Sequence, residues 1–348
     1  MMTKPEILEI LESKPDLWWP MTLEEVRIAP RGRGGPDLAV RLAWGDWSEW
    51  FMGEIKTSST PKSVEAGLAI AQQYATGTGL PLLVVPFLGR MALERCMEAG
   101  VSAIDLGGNA AVLVPGRLAV VRTGAPNQHP ESRDIKQVYR GKSSLVPRVF
   151  FCRRSFSSVG SIREEIQARG ARISLATVSK VLKTLEEDLM IRRGATIDLL
   201  QPDLLLDRLA EEYARDRVQP AGSVEVALDP GPESLRRLRM ACEGMNLRCV
   251  AASTGSSDPV PETGPVAVYV ERIGPVLGAL GLEPALRFGA TRLLESSDPR
   301  LYFDRREEAG FYWGSPVQRY LELAAGGKRE RELSGVLRQR ILEEVPNA

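Results

Sequence analysis

The chain has 348 residues, 43% hydrophobic and 26% charged, and its 45 basic residues balance 45 acidic ones. That length predicts two or three domains of a soluble globular protein, and the zero net charge gives no global pull toward nucleic acid. No apolar run reaches the roughly 18 residues of a membrane span.

The opening Met-Met-Thr-Lys-Pro-Glu leads into an acidic helix and lacks the apolar stretch of a signal peptide, so a cytoplasmic, nucleoid-associated location is expected. Cys96, Cys152, Cys242 and Cys249 lie far apart without metal-ligand spacing and read as reduced thiols with no disulfide framework. The single histidine, His129, argues against a His-based triad, a zinc hydrolase or a His-metal nuclease. No Gly-x-x-x-x-Gly-Lys-Ser/Thr phosphate loop occurs.

In chain order, an acidic amphipathic helix is expected over 5–13, then strands over 37–42 and 50–57 joined by a turn near Gly45-Asp46-Trp47-Ser48. A helix with apolar Val64, Leu68, Ala71 and Tyr74 follows, then a strand over 80–87, a helix over 90–99 and a strand over 101–106. Side chains alternate along a strand, so Glu54 and Lys56 share one face while Ile55 turns to the core. If the two strands pair, Asp37 stands beside that face. Two carboxylates and an ammonium then converge, and carboxylate oxygens are the ligands Mg²⁺ (or Mn²⁺) prefers. Asp37 and Glu54 are the candidate metal ligands, with the Ile55 carbonyl completing the set. Lys56 is the candidate to orient or deprotonate the attacking water. Glu9 or Glu12 on the first helix and Gln72 or Gln73 on the following helix are further candidates, better read as surface or packing residues. The bland alternative is a solvated hairpin with ordinary surface charges.

Pro36-Asp37 followed by Glu54-Ile55-Lys56, in an α-β-β-α-β order, resembles the PD-(D/E)xK superfamily of restriction-endonuclease-like nucleases. The resemblance implies an N-terminal α/β domain, residues 1–124, with the metal strands buried between helices, and it implies a Mg-dependent deoxyribonuclease. Strands over 102–106, 110–114 and 118–122 complete this domain. Between the first two, Gly107-Gly108-Asn109 supplies a tight turn, for which Asp105 and Asn109 read as stabilisers.

Residues 125–143 read as a linker. Positive charge concentrates nearby, with fourteen basic residues against six acidic ones between Arg133 and Gly194, which suggests a polyanion partner. Over 144–200 the pattern gives helices at about 145–154, 162–169 (Ser161 as N-cap, Gly170 as stop) and 174–188, then a basic hairpin turning at Gly194-Ala195. Three helices and a hairpin make a central winged helix-turn-helix. Leu175, Val178, Leu182, Leu185 and Leu189 are expected in its core, and Thr177, Lys180, Lys183 and Thr184 on the face that meets the major groove. Arg192 and Arg193 of the wing are expected on phosphate or in the minor groove. Double-stranded DNA is the partner this predicts; winged helices also serve as protein–protein modules.

Residues 201–348 read as a C-terminal mixed α/β domain, with helices at 203–215 and 233–245, strands at 224–228, 247–252 and 266–271, and two helices from Ser315-Pro316 to about 344. Nothing there has catalytic spacing, and the loop over 253–258 lacks the paired aspartates of two-metal nucleotidyl transfer. Along the whole chain, Glu54-Ile55-Lys56, Ile104-Asp105-Leu106-Gly107-Gly108-Asn109, Ser174-Leu175-Ala176-Thr177-Val178-Ser179-Lys180-Val181 and Ser315-Pro316-Val317-Gln318-Arg319-Tyr320-Leu321-Glu322-Leu323 follow in an order that resembles another group. This is the AbiEi-like antitoxins or transcriptional regulators of type IV toxin–antitoxin systems. That resemblance implies a winged-helix DNA binder with a C-terminal antitoxin-like domain, from which the nuclease-like first domain departs. Two functions stay open. One is a metal-dependent DNA endonuclease guided by its own winged helix, in DNA processing or a mobile-element or defence context. The other is a non-catalytic antitoxin or repressor. A toxin or other protein on the C-terminal domain, and a second copy in a homodimer, are further candidate partners.

Overall fold

The computed structural model describes residues 2–28, 35–76, 79–130, 137–255, 258, 265–285 and 289–344, which fall into two compact units, Met1–Asp134 and Ile135–Ala348. Both are mixed α/β, and the described residues form twelve α-helices and three sheets.

The first unit runs α1 (Lys4–Ser13), β1 (Thr22–Ile28), β2 (Leu38–Trp44), β3 (Trp47–Ile55), α2 (Pro61–Ala71), β4 (Leu80–Val85), α3 (Arg90–Glu98), β5 (Ser102–Asp105), β6 (Ala110–Val114) and β7 (Leu118–Arg122). Its seven strands stand in one sheet in sequence order. β1, β2 and β3 are antiparallel, β4 and β5 continue parallel to β3, and β6 and β7 reverse again. The pleat sorts β4 into two cores. Leu82 and Val84 join Ile7 and Leu11 of α1 on one face, while Leu83 and Val85 join Val64 and Leu68 of α2 and Cys96 of α3 on the other. A strand covered on both faces is apolar at every position, which accounts for the unbroken run in the sequence.

β1 was not expected. Only Leu23 is buried in it, and Glu24, Glu25 and Arg27 give no clean alternation. The Gly107-Gly108-Asn109 turn has its physical reason in Asp105, whose Oδ1 accepts from all three backbone amides at 2.8 Å each. Its Oδ2 accepts from the Leu88 amide and the Asn109 side chain, so a fully buried carboxylate carries five donors. Gly108, at φ +103°, takes the turn.

The second unit contains α4 (Leu145–Val149), β8 (Ser155–Phe156), α5 (Val159–Ala168), α6 (Leu175–Glu187), β9 (Ile191–Arg193), β10 (Ile197–Leu199) and α7 (Pro202–Arg215). β11 (Gly222–Val226), α8 (Pro232–Gly244), β12 (Cys249–Ala251), β13 (Val266–Val270), α9 (Ile273–Leu280), β14 (Thr291–Glu295) and α10 (Pro299–Tyr302) follow. β15 (Arg306–Glu308), β16 (Phe311–Trp313), α11 (Pro316–Ala324) and α12 (Lys328–Glu344) close it. Its sheets have the orders β8-β10-β9 and β11-β14-β13-β12-β16-β15.

Several boundaries move. The helix expected over 145–154 is a 3-10 turn, Gly141–Ser144, followed by the short α4. α5 is capped by Ser158, with Ser161 closing the capping box from inside the helix. α9 and β14 occupy a stretch that looked irregular because of its Pro and Gly content. One apolar core joins Val149 and Leu182 to Leu206, Leu209, Leu321 and Leu337, so the boundary expected at 200/201 runs through a continuous core. The linker expected over 125–143 falls in part at 131–136, outside the described residues. All four cysteines are free, and Cys242 and Cys249 are buried in the same apolar core. No described helix is long and apolar enough to cross a membrane.

Candidate active site

Antiparallel pairing sets Leu38 opposite Gly53, so Asp37 stands just ahead of β2 beside the last turn of the β3 ladder. Its amide donates to the Gly53 carbonyl at 2.9 Å, and its Oδ2 accepts from the Ile55 amide at 2.9 Å. Asp37 is thereby fastened to the middle residue of Glu54-Ile55-Lys56. Glu54 and Lys56 share the face that packs on α2, while Ile55 enters the opposite core, as alternation requires.

Lys56 Nζ lies 2.8 Å from Glu54 Oε1. Its stem runs over Gly67 of α2, where a Cβ would come within 3.0 Å of Lys56 Cγ and 2.5 Å of Leu83 Cδ1. A glycine at this helix position makes room for the lysine.

Two further residues complete the cluster. The Tyr74 hydroxyl, in the 3-10 turn Gln72–Thr76 after α2, donates to Glu54 Oε2 at 2.9 Å and lies 3.1 Å from the Gly35 carbonyl. Burial, that hydrogen bond and the Glu54 and Asp37 charges push its phenol well above the usual tyrosine range, so it stays a donor. Lys4 of α1 reaches Asp37 Oδ1 at 2.5 Å. Glu54 is thus held by the Tyr74 hydroxyl, and Asp37 by the amide of the very next residue, Ile55.

Neither added residue was legible. Tyr74 read as a core aromatic, and Lys4 carried no signal at the chain start. Glu9 and Glu12 are exposed on α1, and Gln72 turns to the Ala99 carbonyl at 3.0 Å. Gln73 is also exposed.

The donor set is hard oxygen, suited to a small divalent cation: the Asp37 and Glu54 carboxylates, with the backbone of Ile55 between them. Among the described residues no group of three His, Cys, Asp or Glu side chains is gathered, so a cation here would draw on the Ile55 carbonyl and water. Ile55 lies beyond the last β2–β3 pair, Leu38 with Gly53.

The charged face expected in the second unit is only partly there. Ser174 caps α6, accepting from the Thr177 amide at 3.1 Å, and its hydroxyl meets that of Thr177 at 2.8 Å. Lys180 and Lys183 are exposed and Thr177 half-buried, but Thr184 is buried and Leu175 is exposed, the reverse of expectation. Leu189, half-buried at φ +57°, ends the helix turn and does not continue its core stripe. Arg192 and Arg193 stand on β9, where Arg192 lies 3.5 Å from Asp198 and Arg193 3.9 Å from Glu186. Arg140 and Arg169 pair with Glu212 and Asp304, beyond the counted stretch, and Arg148 is buried. The local excess of charge is thus partly cancelled by folding. Arg133, Asp134 and Lys136 of that stretch lie outside the described residues. Comparisons with known protein families, characterised proteins and solved structures find no match to this chain.

Proposed function

We propose that the first unit is a restriction-endonuclease-like domain that hydrolyses DNA phosphodiesters with a divalent cation, and that residues 144–200 form a winged helix-turn-helix gripping duplex DNA. The observation that carries this is the hydrogen bond from the Ile55 amide to Asp37, which gathers Asp37, Glu54 and Lys56 at one strand end. Asp37 and Glu54 would hold Mg²⁺ or Mn²⁺ with the Ile55 carbonyl, and the cation, when bound, supplies Lewis acidity for phosphodiester cleavage. Lys56 orients the attacking water and steadies negative charge on the phosphate. Tyr74 holds Glu54 in place through its short donor bond. In the second unit, Thr177, Lys180 and Lys183 face the groove and Arg192 and Arg193 contact phosphate.

Cleavage of supercoiled plasmid with Mg²⁺ or Mn²⁺, with EDTA as control, tests the reading. Asp37→Asn and Glu54→Gln should lower metal affinity and rate together, while Lys56→Ala should keep metal binding and lower the rate about a hundredfold to a thousandfold. DNA affinity should survive all three changes.

A second reading has its own observation. Each oxygen of both carboxylates already meets a protein donor, from Lys4, Ile55, Lys56 or Tyr74, so the cluster is electrostatically satisfied by the chain itself. A wild type that binds DNA and never cuts it with either metal would make the protein a DNA-binding regulator of the antitoxin or repressor kind.

A further inference from the structure

The second unit holds a cavity of about 740 Å³ with a cationic lining that the nuclease reading does not use. Its walls come from separate parts of the chain: Lys142 of the 3-10 turn before α4, Gln167 of α5, Arg172 of the turn into α6, Asn246 and Arg248 between α8 and β12, and Glu271 after β13.

The charges there are unequal. Glu271 is the one carboxylate among the described residues of the lining, and Arg248 consumes it: Oε1 takes the guanidinium at 2.6 and 2.9 Å, and Oε2 takes the Arg248 amide at 2.8 Å. Arg248 is held further by the ring of Tyr302, 4.3 Å from its guanidinium carbon. Lys142 and Arg172 are exposed and form no ion pair among the described residues. Two uncompensated cations therefore face a cavity whose third cation is rigidly fixed, and the Gln167 and Asn246 amides add neutral donors. The volume is within the range of about 300–1,000 Å³ typical of small-molecule sites, well beyond what one phosphate group needs.

We propose that this cavity binds a small phosphorylated molecule, a phosphate or pyrophosphate ester with an organic body of nucleotide size. Lys142 and Arg172 take the phosphate oxygens through charge-assisted hydrogen bonds, and the amides and Arg248 meet the remainder. The site is independent of the Asp37–Glu54–Lys56 cluster and stands or falls apart from it.

The test uses the full-length protein without DNA, titrated calorimetrically with pyrophosphate and with adenosine monophosphate at matched ionic strength. Saturable binding is expected, tighter for the ester, and weakened about tenfold or more by Lys142→Gln with Arg172→Gln. Both positions are exposed, so the melting temperature without ligand should stay the same and the variant should be folded. Arg329→Gln, exposed on α12, should leave the affinity unchanged. No binding of either probe, or equal binding by the double variant, would overturn the proposal. So would a double variant whose only loss is affinity for duplex DNA, because the two cations would then be backbone contacts.

Discussion

Tyr74 matters through one atom. Tyr74→Phe keeps the ring in its core and removes the donor from Glu54 Oε2 and the contact to the Gly35 carbonyl. The expected loss is about 1–3 kcal/mol in stability, read from the urea midpoint, with metal affinity falling in parallel. Gly67→Ala tests the lysine's seat, since the added methyl group meets Leu83 and Lys56. It should cost about 1–3 kcal/mol, and an unchanged midpoint would show that α2 shifts freely. In the second unit, burial raises the Glu322 carboxyl above its ordinary 4.5, against Gln318 at 2.8 Å and the Arg319, Arg217 and Arg148 charges. The neighbouring Arg148, fully buried with Nη1 on Gln318, is pushed down to about 10 by the same loss of hydration. A folded carboxyl pKa above the unfolded one means that the folded state holds the proton more tightly. Stability from Glu322 is therefore full below 4.5 and falls as pH climbs through the raised folded value. Glu322→Gln should consequently gain on the wild type in melting temperature between pH 4 and 8, and a gap independent of pH would contradict this.

At the scale of elements, α6 gives the cleanest case of a legible signal. Ser174 was expected at its start and its hydroxyl does cap the Thr177 amide. Ser174→Ala should cost about 1 kcal/mol and lower the melting temperature of the second unit by about 2–4 °C. The strands on either side of β3 were legible for the same kind of reason: β2 alternates, and β4 is apolar throughout. What escaped notice lacked a local signal. β1 has one buried residue, α9 hides behind Pro275 and two glycines, and Thr184 turns inward because α6 packs against more than one neighbour. Asp37, Glu54 and Lys56 could be read because a Pro-Asp pair heads one strand and Glu-Ile-Lys closes the next. Their outer partners could not, since Lys4 and Tyr74 reach them from elements whose periodicity reports only their own apolar faces.

At the scale of the molecule, the two units differ in how far they can be divided. The first has two cores, both drawn from its own residues, and a fragment of residues 1–130 should melt in one cooperative step by circular dichroism. The second cannot be cut at Leu200. Such a cut removes Leu321, Leu337 and Ile341 from the core that holds Val149 and Leu182. Limited proteolysis of a chain ending there should digest residues 137–200 quickly while the first unit resists. A resistant 137–200 fragment would mean that the remaining helices close over the gap.

The sequence order of β1 to β7 bears on the moment at which the chain is made. Each strand pairs with the one synthesised just before it, so no hydrogen-bonding edge waits for a distant segment. Everything that builds the Asp37–Glu54–Lys56 cluster lies between Lys4 and Val85, and its last supporting strand is β4. The first unit can therefore acquire its shape on the ribosome while the second is still being translated. On the nuclease reading proposed above, the cell would meet the cutting site before the part of the molecule proposed to direct it.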